Sequence, residues 1–199
     1  GYEAMLPGME IYRTRTLVTN EMEILKSYTI AKRALEELDF DITYVGVGRS
    51  GLKENYQYHS APFYIVLDTS ETNLTGRRVK LELFSRTEYR VSINDNYDIS
   101  EVVKYGEPFK SGPFNFTLHL KDPINFAPPG YDSYYFVINS LNSLANRYKS
   151  KLNIEVNDDR RGSVLFLTTS GLNEEQEADY LNKLMEVYID MGLEEKNQT

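Results

Sequence analysis

The stretch of sequence that comes closest to a chemical site is residues 46–51, which read G-x-G-x-x-G. In dinucleotide-binding proteins this pattern follows a strand, and its third glycine opens a helix whose N-terminus binds the pyrophosphate. Here the residues that follow, 52–62, contain few apolar positions and end in a proline. We therefore predict a glycine-rich hairpin loop at this point and no nucleotide site.

The two histidines and the acidic segment at residues 94–98 are the other candidates for chemistry. His59 and His119 lie outside any zinc or nucleophile motif, so both are expected on the surface. Residues 94–98 begin like an EF-hand loop, but Ile99 and Tyr105 stand where glycine and glutamate are required, which favours a turn. No carboxylate pair for glycoside cleavage stands out among the 30 acids. We predict no catalytic, cofactor-binding or metal-binding residue, and no cofactor.

The composition is that of a folded protein that repels polyanions. The net charge is −8, 41% of the residues are hydrophobic, and cysteine is absent. A field of this sign disfavours nucleic acid and anionic membrane surfaces, and the lack of cysteine excludes disulfides and thiolate chemistry. No apolar run approaches the roughly 20 residues that cross a bilayer. The chain begins with glycine, as expected of a soluble piece cut from a longer protein.

Two segments on either side of a central region have the helical spacing of apolar residues. The first predicted helix spans residues 20–38, and Asn20 with Glu23 forms a capping-box pattern at its start. The second spans about residues 138–149.

A third helix is predicted over residues 174–197, with Asn173 and Gln176 as its capping pair. Acidic residues in its first turn favour the positive end of the helix dipole. Its apolar stripe is predicted to be a packing or oligomer face and consists of Leu181, Leu184, Tyr188 and Met191.

The region between the first two helices changes to a period of two, which indicates strands. The predicted strands lie at residues 42–47, 63–68, 79–83, 89–93 and 114–120. The second of them is apolar on both faces and is expected to be internal. A proline-rich connection follows at residues 121–133. Further along, residues 152–156 and 163–169 predict a hairpin closed by a polar turn at residues 157–162.

These elements predict an α+β fold, in which helices pack with a β-hairpin or sheet and an antiparallel sandwich- or barrel-like β lobe is inserted between them. The helical and hairpin part is expected at residues 10–41 and 136–199, and the β lobe at about 42–135. Residues 1–199 would then form a single domain.

Three parts of the sequence resemble the chain-length-determinant (Wzz) family of polysaccharide co-polymerases. Residues 20–27, NEMEILKS, continuing to 34–38, ALEEL, are similar to the family's E-x-E-x-L-K-S helix. Residues 60–63, SAPF, resemble the SPF element of the larger Bacteroidetes-type members. The family's C-terminal periplasmic region, where a hairpin leads into a helix returning to the second membrane span, resembles residues 144–156, 163–171 and 178–197.

The resemblance implies an extracytoplasmic domain at the periplasmic face of the bacterial inner membrane, bracketed by two transmembrane helices outside this sequence. Such proteins form homo-oligomers and work with the polymerase and export machinery to set the chain length of capsule, exopolysaccharide or O-antigen. The helices near the termini would be membrane-proximal, and this domain would not be an enzyme. The inserted β lobe favours the larger type, many of which carry a cytoplasmic tyrosine kinase domain.

Two sets of residues are predicted to contact polysaccharide. Because the net charge repels an acidic glycan, polymer contact is expected through local cations, namely Arg147, Lys149 and Lys151. The alternative function is a carbohydrate-binding β module, in which sugars stack on a surface formed by Tyr56, Tyr58 and Tyr64.

Overall fold

The computed structural model describes residues 2–5, 9–11, 15–94, 96–127, 130–159 and 162–197, and side chains from residue 17 onward except that of residue 159. The chain divides into two compact units. The first, which we call the helical unit, comprises Gly1–Phe40 and Leu141–Thr199, and the second, the β lobe, comprises Asp41–Ser140.

The helical unit contains the four helices found in the described residues and a four-stranded antiparallel sheet. Its helices are α1 (Arg15–Leu25), α2 (Tyr28–Glu36), α3 (Leu141–Lys151) and α4 (Glu174–Asn197). Its strands are β1 (Tyr2–Met5), β2 (Met9–Ile11), β12 (Asn153–Asp159) and β13 (Gly162–Gly171). Strand β13 is central and pairs with β12 on one side and with β1 and β2 on the other. Helix α2 packs against α3 and α4, and α4 also packs on β1 and β13.

The single helix predicted over residues 20–38 is wrong, because the chain breaks between α1 and α2. Ser27 has extended backbone angles, and its hydroxyl accepts a hydrogen bond from the backbone N–H of Ile30 at 3.4 Å. Serine competes well for this N-cap position, so α2 starts anew there. Asn20 lies inside α1, and the capping box predicted there with Glu23 is therefore also wrong.

The other two helices are close to their predicted positions. Helix α4 has the predicted bounds, and the backbone N–H of Gln176 donates to Asn173 Oδ1 at 3.0 Å, which confirms the cap. Helix α3 starts three residues later than predicted, because Ile138 belongs to a strand. That strand has an almost wholly buried pattern and lacks the alternation that marks a half-exposed strand.

The β lobe is built from two antiparallel sheets around one apolar core, which confirms the α+β class. The first sheet has six strands in the order β4-β3-β11-β6-β7-β8 and the second has three in the order β5-β10-β9. The strands are β3 (Ile42–Val47), β4 (Glu54–Tyr56), β5 (Phe63–Leu67), β6 (Arg78–Glu82), β7 (Glu88–Ile93), β8 (Ile99–Lys104), β9 (Pro108–Ser111), β10 (Phe114–Leu120) and β11 (Ser133–Ile138).

Strand β5 lies at the edge of its sheet, so the prediction that it is internal is wrong. Phe63 and Ile65 point into the core, whereas Tyr64 and Val66 are 43% and 47% exposed. The sequence of the strand is apolar on both faces because Tyr64 and Val66, which point outward, are apolar residues at the surface.

The glycine-rich loop after β3 is a hairpin loop, as predicted. Strands β3 and β4 pair across it, and the N–H of Gly48 donates to the carbonyl of Lys53 at 2.9 Å. Ser50 and Gly51 have positive φ angles of 76° and 69°, which suit a tight turn. Strand β4 follows this loop where a nucleotide site would need a helix N-terminus.

The two acidic turns differ in outcome. Asn96 and Asp98 adopt left-handed φ angles between β7 and β8, as a turn requires, while Asp95 lies outside the described residues. The turn predicted at residues 157–162 is too long, because β12 continues to Asp159 and β13 begins at Gly162. Residues 160 and 161 lie outside the described part of the chain.

Candidate functional site

The apolar stripe predicted on α4 divides into a buried half and a half-exposed half. Leu181 and Leu184 are fully buried in the core of the helical unit, whereas Tyr188 and Met191 are only half-buried. Sequence reasoning missed Tyr180 and Val187, which are buried beside them, and the exposed Ile189 and Leu193. The same helical stripe thus packs into the unit near its start and reaches the surface near its end.

The exposed half of this stripe faces α1 across a groove of about 420 Å³, which we call the α1–α4 groove. Its walls are contributed by Glu21, Ile24, Tyr188, Ile189, Met191, Gly192, Leu193, Glu195 and Lys196. Ile189 and Leu193 are 53% and 54% exposed, and Ile24 on the facing helix is 40% exposed. Large apolar side chains that converge in a groove with a charged rim are typical of a protein interaction surface.

Two surface ion pairs connect α4 to α2 and to Glu37, the residue that caps the C-terminus of α2. Arg33 donates to Glu194 at 2.7 Å, and Lys183 reaches Glu37 at 3.3 Å. The hydrogen bond from Arg33 lowers the pKa of Glu194, and the same pair raises the pKa of Arg33. Because these groups are exposed, the pairs position the helix more than they stabilise it.

The N-terminal half of α4 is held by a buried charge cluster centred on Glu177, which is only 3% exposed. Its carboxylate accepts hydrogen bonds from Lys151 Nζ at 2.5 Å, Thr169 Oγ1 at 2.5 Å and Tyr148 Oη at 3.4 Å. These donors belong to α3 and β13, so one side chain connects three elements. A Cβ at Gly171 would collide with this carboxylate, so glycine is needed there.

The sequence carries a signal for this cluster. Glu177 lies four residues before Leu181 on the buried stripe of α4, and a charged residue in that position requires a partner. Burial lowers the pKa of Lys151 and, acting together with the carboxylate of Glu177, raises the pKa of Tyr148. Lys151 Nζ also lies 3.9 Å from the centre of the Tyr148 ring.

The three cations predicted to contact polymer therefore differ in their surroundings. Arg147 and Lys149 are exposed on α3, and their polymer contact stays a prediction. Lys151 is different, because its side chain is 22% exposed and its ammonium is already paired with Glu177. That pairing leaves Lys151 poorly placed to bind a polymer.

The predicted tyrosine surface is not one surface. Tyr56 is in register with Val45 on the outer side of the six-stranded sheet, whereas Tyr64 projects from the outer side of the three-stranded sheet. Because the two sheets enclose a common core, these outer sides face away from each other.

The histidines of the β lobe stack on neighbouring tyrosines. His59 is exposed and stacks on Tyr58 with ring centres 3.8 Å apart, and the half-exposed His119 stacks on Tyr64 at 5.1 Å. Both histidines are accessible from the surface, as predicted.

No protein-family model matches this chain, and no curated protein has a sequence that matches it. Of the helices in the described ranges, none is at once long enough and apolar enough to cross a membrane. The fold and the groove define an α+β protein with a buried charge cluster at one end of its longest helix and an open apolar surface at the other.

Proposed function

We propose that this chain is the oligomerisation domain of a polysaccharide co-polymerase, which assembles at the periplasmic face of a bacterial inner membrane and controls the chain length or export of a surface polysaccharide. The observation that carries the proposal is the α1–α4 groove. The sequence resemblance to chain-length determinants supplies the biological setting.

The occupant of the groove is a second copy of this chain. The groove has an apolar floor formed by Ile24, Ile189 and Leu193, and its rim carries both signs of charge in Glu195 and Lys196. An apolar floor inside a mixed polar rim is the usual anatomy of a protein–protein interface. Because Ile24, Ile189 and Leu193 line the groove of every copy, two copies can bury the same surface against each other in a symmetric contact.

Self-association of the chain tests this proposal most directly. Sedimentation velocity over a wide concentration range is expected to show a reversible oligomer, and the Ile189→Lys variant is expected to remain monomeric. The matched control is Asn182→Lys, which adds the same charge at an exposed position of α4 outside the groove. If wild type and both variants sediment as the same species at every concentration, the groove is not an interface.

The membrane-bound parent protein provides the functional readout. Two hydrophobic segments, one before residue 1 and one after residue 199, are required in the parent gene. Cells carrying Ile189→Lys in that gene are expected to make surface polysaccharide with a shifted length distribution on gels, whereas Asn182→Lys cells match wild type. An unchanged distribution in the Ile189→Lys strain, with normal protein level, would reject the role in chain-length control.

A further inference from the structure

The β6–β7 hairpin has a charge opposite to that of the whole chain. Residues 77–90 contain five lysines or arginines and two glutamates, although the chain has 22 cationic and 30 acidic residues in total. Within the two strands, Val79, Leu81, Tyr89 and Val91 are buried in the core of the β lobe. Successive side chains of a strand point to opposite faces, so the charged residues between them share the outer face of the sheet.

We call this surface the hairpin face; it consists of Arg78, Lys80, Glu82, Phe84, Arg90 and Val102. Arg78 is paired with Glu54 on β4 at 2.8 Å, so the positive charge that is left over on this face comes from Lys80 and Arg90. Lys80 Nζ lies 2.7 Å from one oxygen of Glu82, and Arg90 Nη1 lies 3.4 Å from the other. The hydrogen bond from Lys80 is the main reason that the pKa of Glu82 is lowered. Two cations thus share one carboxylate, and both are about half exposed.

Apolar groups lie beside these cations on the same surface. Phe84 and Val102 are each 49% exposed, and the guanidinium of Arg90 lies 5.8 Å from the centre of the Phe84 ring. Val102 on β8 is the cross-strand neighbour of Arg90. An aromatic ring next to paired cations can stack on the apolar side of a sugar while the cations bind its carboxylate.

We propose that the hairpin face binds an acidic polysaccharide, a glycan that carries carboxylate groups. This inference rests on the proposed function and assigns the polymer contact to the β lobe. A glycan fits this face better than nucleic acid does. A net charge of −8 repels nucleic acid, which has a phosphate on every residue, more strongly than it repels a glycan with fewer charges. Single-stranded nucleic acid also needs a series of aromatic rings on which successive bases stack, whereas the hairpin face offers the single ring of Phe84.

Equilibrium binding of the full chain to three polymers tests the proposal: polygalacturonate, neutral dextran of similar length and single-stranded DNA. Wild type is expected to bind polygalacturonate best, and added salt is expected to weaken that binding. The variant Lys80→Gln/Arg90→Gln removes both cations that share Glu82. It is expected to bind polygalacturonate at least about tenfold more weakly, because each lost charge-assisted hydrogen bond contributes to the binding free energy. The matched control Arg49→Gln/Lys53→Gln removes two exposed cations from the loop between β3 and β4, outside the hairpin face.

Three results would overturn the inference. Equal binding to dextran would show that carboxylates are not recognised, and tighter binding to DNA would assign the face to nucleic acid. An equal loss in the control variant would show that total charge matters and the hairpin face does not. Sedimentation of Ile189→Lys tests the groove without any polysaccharide present, so a failure of the glycan proposal leaves that oligomerisation result standing. Likewise, a monomeric wild type would not change the outcome of the glycan-binding measurement.

Discussion

The buried pair of Lys151 and Glu177 allows a quantitative prediction about the stability of the helical unit. The change Lys151→Met keeps an unbranched side chain of similar length but removes the ammonium. Glu177 would then remain almost fully buried with only two hydroxyl donors, from Thr169 and Tyr148. Breaking one partner of a buried ion pair typically costs about 3–5 kcal/mol. Because Lys151 is 22% exposed, we expect the lower end, about 3 kcal/mol.

The assay is urea unfolding of the full chain, followed by far-ultraviolet circular dichroism to report on the helices. For a chain of this length, about 3 kcal/mol corresponds to a fall in melting temperature of about 6–12 °C. Lys149→Met is the matched control, because Lys149 is in the same last turn of α3 and is exposed. An exposed substitution of this kind is expected to change the free energy of unfolding by less than about 0.5 kcal/mol.

A double-mutant cycle separates the cost of an unpaired charge from the loss of packing. Adding Glu177→Gln to Lys151→Met removes the buried charge, so the double variant should be more stable than Lys151→Met alone. A coupling energy of about 1–3 kcal/mol is expected for groups in direct contact. If Lys151→Met unfolds like Lys149→Met, or if the two changes are additive, Lys151 does not neutralise Glu177 and the reasoning fails.

Two further predictions concern local hydrogen bonds. Asp68 accepts from both the hydroxyl and the N–H of Ser70 and pairs with Lys110, which lowers the pKa of its carboxyl from 3.8 to about 2. The stability that this carboxylate contributes is therefore present above pH 3.8 and is lost as the pH falls toward 2. Ser70→Ala should raise the pKa of Asp68, measured by carbon NMR. An unchanged titration midpoint of Asp68 in this variant would contradict the prediction. At the N-cap of α2, Ser27→Ala should lower the free energy of unfolding by about 1 kcal/mol, whereas Ser27→Asp should retain it; equal losses in both variants would show that the cap is not used.

The sequence predicts an element well where local chemistry alone decides it. Helix α4 has a capping asparagine, an acidic first turn and a long apolar stripe, and all three point to the same bounds. The prediction of one helix over residues 20–38 is wrong because the helical spacing of apolar residues continues past the break between α1 and α2. The capping serine at the break does not interrupt that spacing, so the spacing alone cannot reveal it. Strand β11 was missed because an internal strand is buried on both faces and loses its alternation.

Which residues form the site depends on distances that periodicity does not contain. Leu184 and Tyr188 are about one turn apart on the same stripe of α4, yet Leu184 is fully buried and Tyr188 is only half-buried. The difference depends on which elements pack against each turn of the helix, and the period of the sequence does not contain that information. The same limit applies to Tyr56 and Tyr64, which are close in sequence but project from different sheets.

Helix α4 therefore combines two tasks that need opposite kinds of contact. Its first half is fixed by the buried carboxylate of Glu177, which rigidly joins it to α3 and β13. Its second half is held by ion pairs such as Arg33–Glu194, which are exposed and weak, and it leaves Ile189 and Leu193 in contact with water. Burying those side chains against another copy would stabilise both chains, because the helix is already positioned and little ordering would be required on binding. This division of the helix is why we place assembly in the helical unit, whereas the two cations that share Glu82 are why we place polymer binding on the hairpin face of the β lobe.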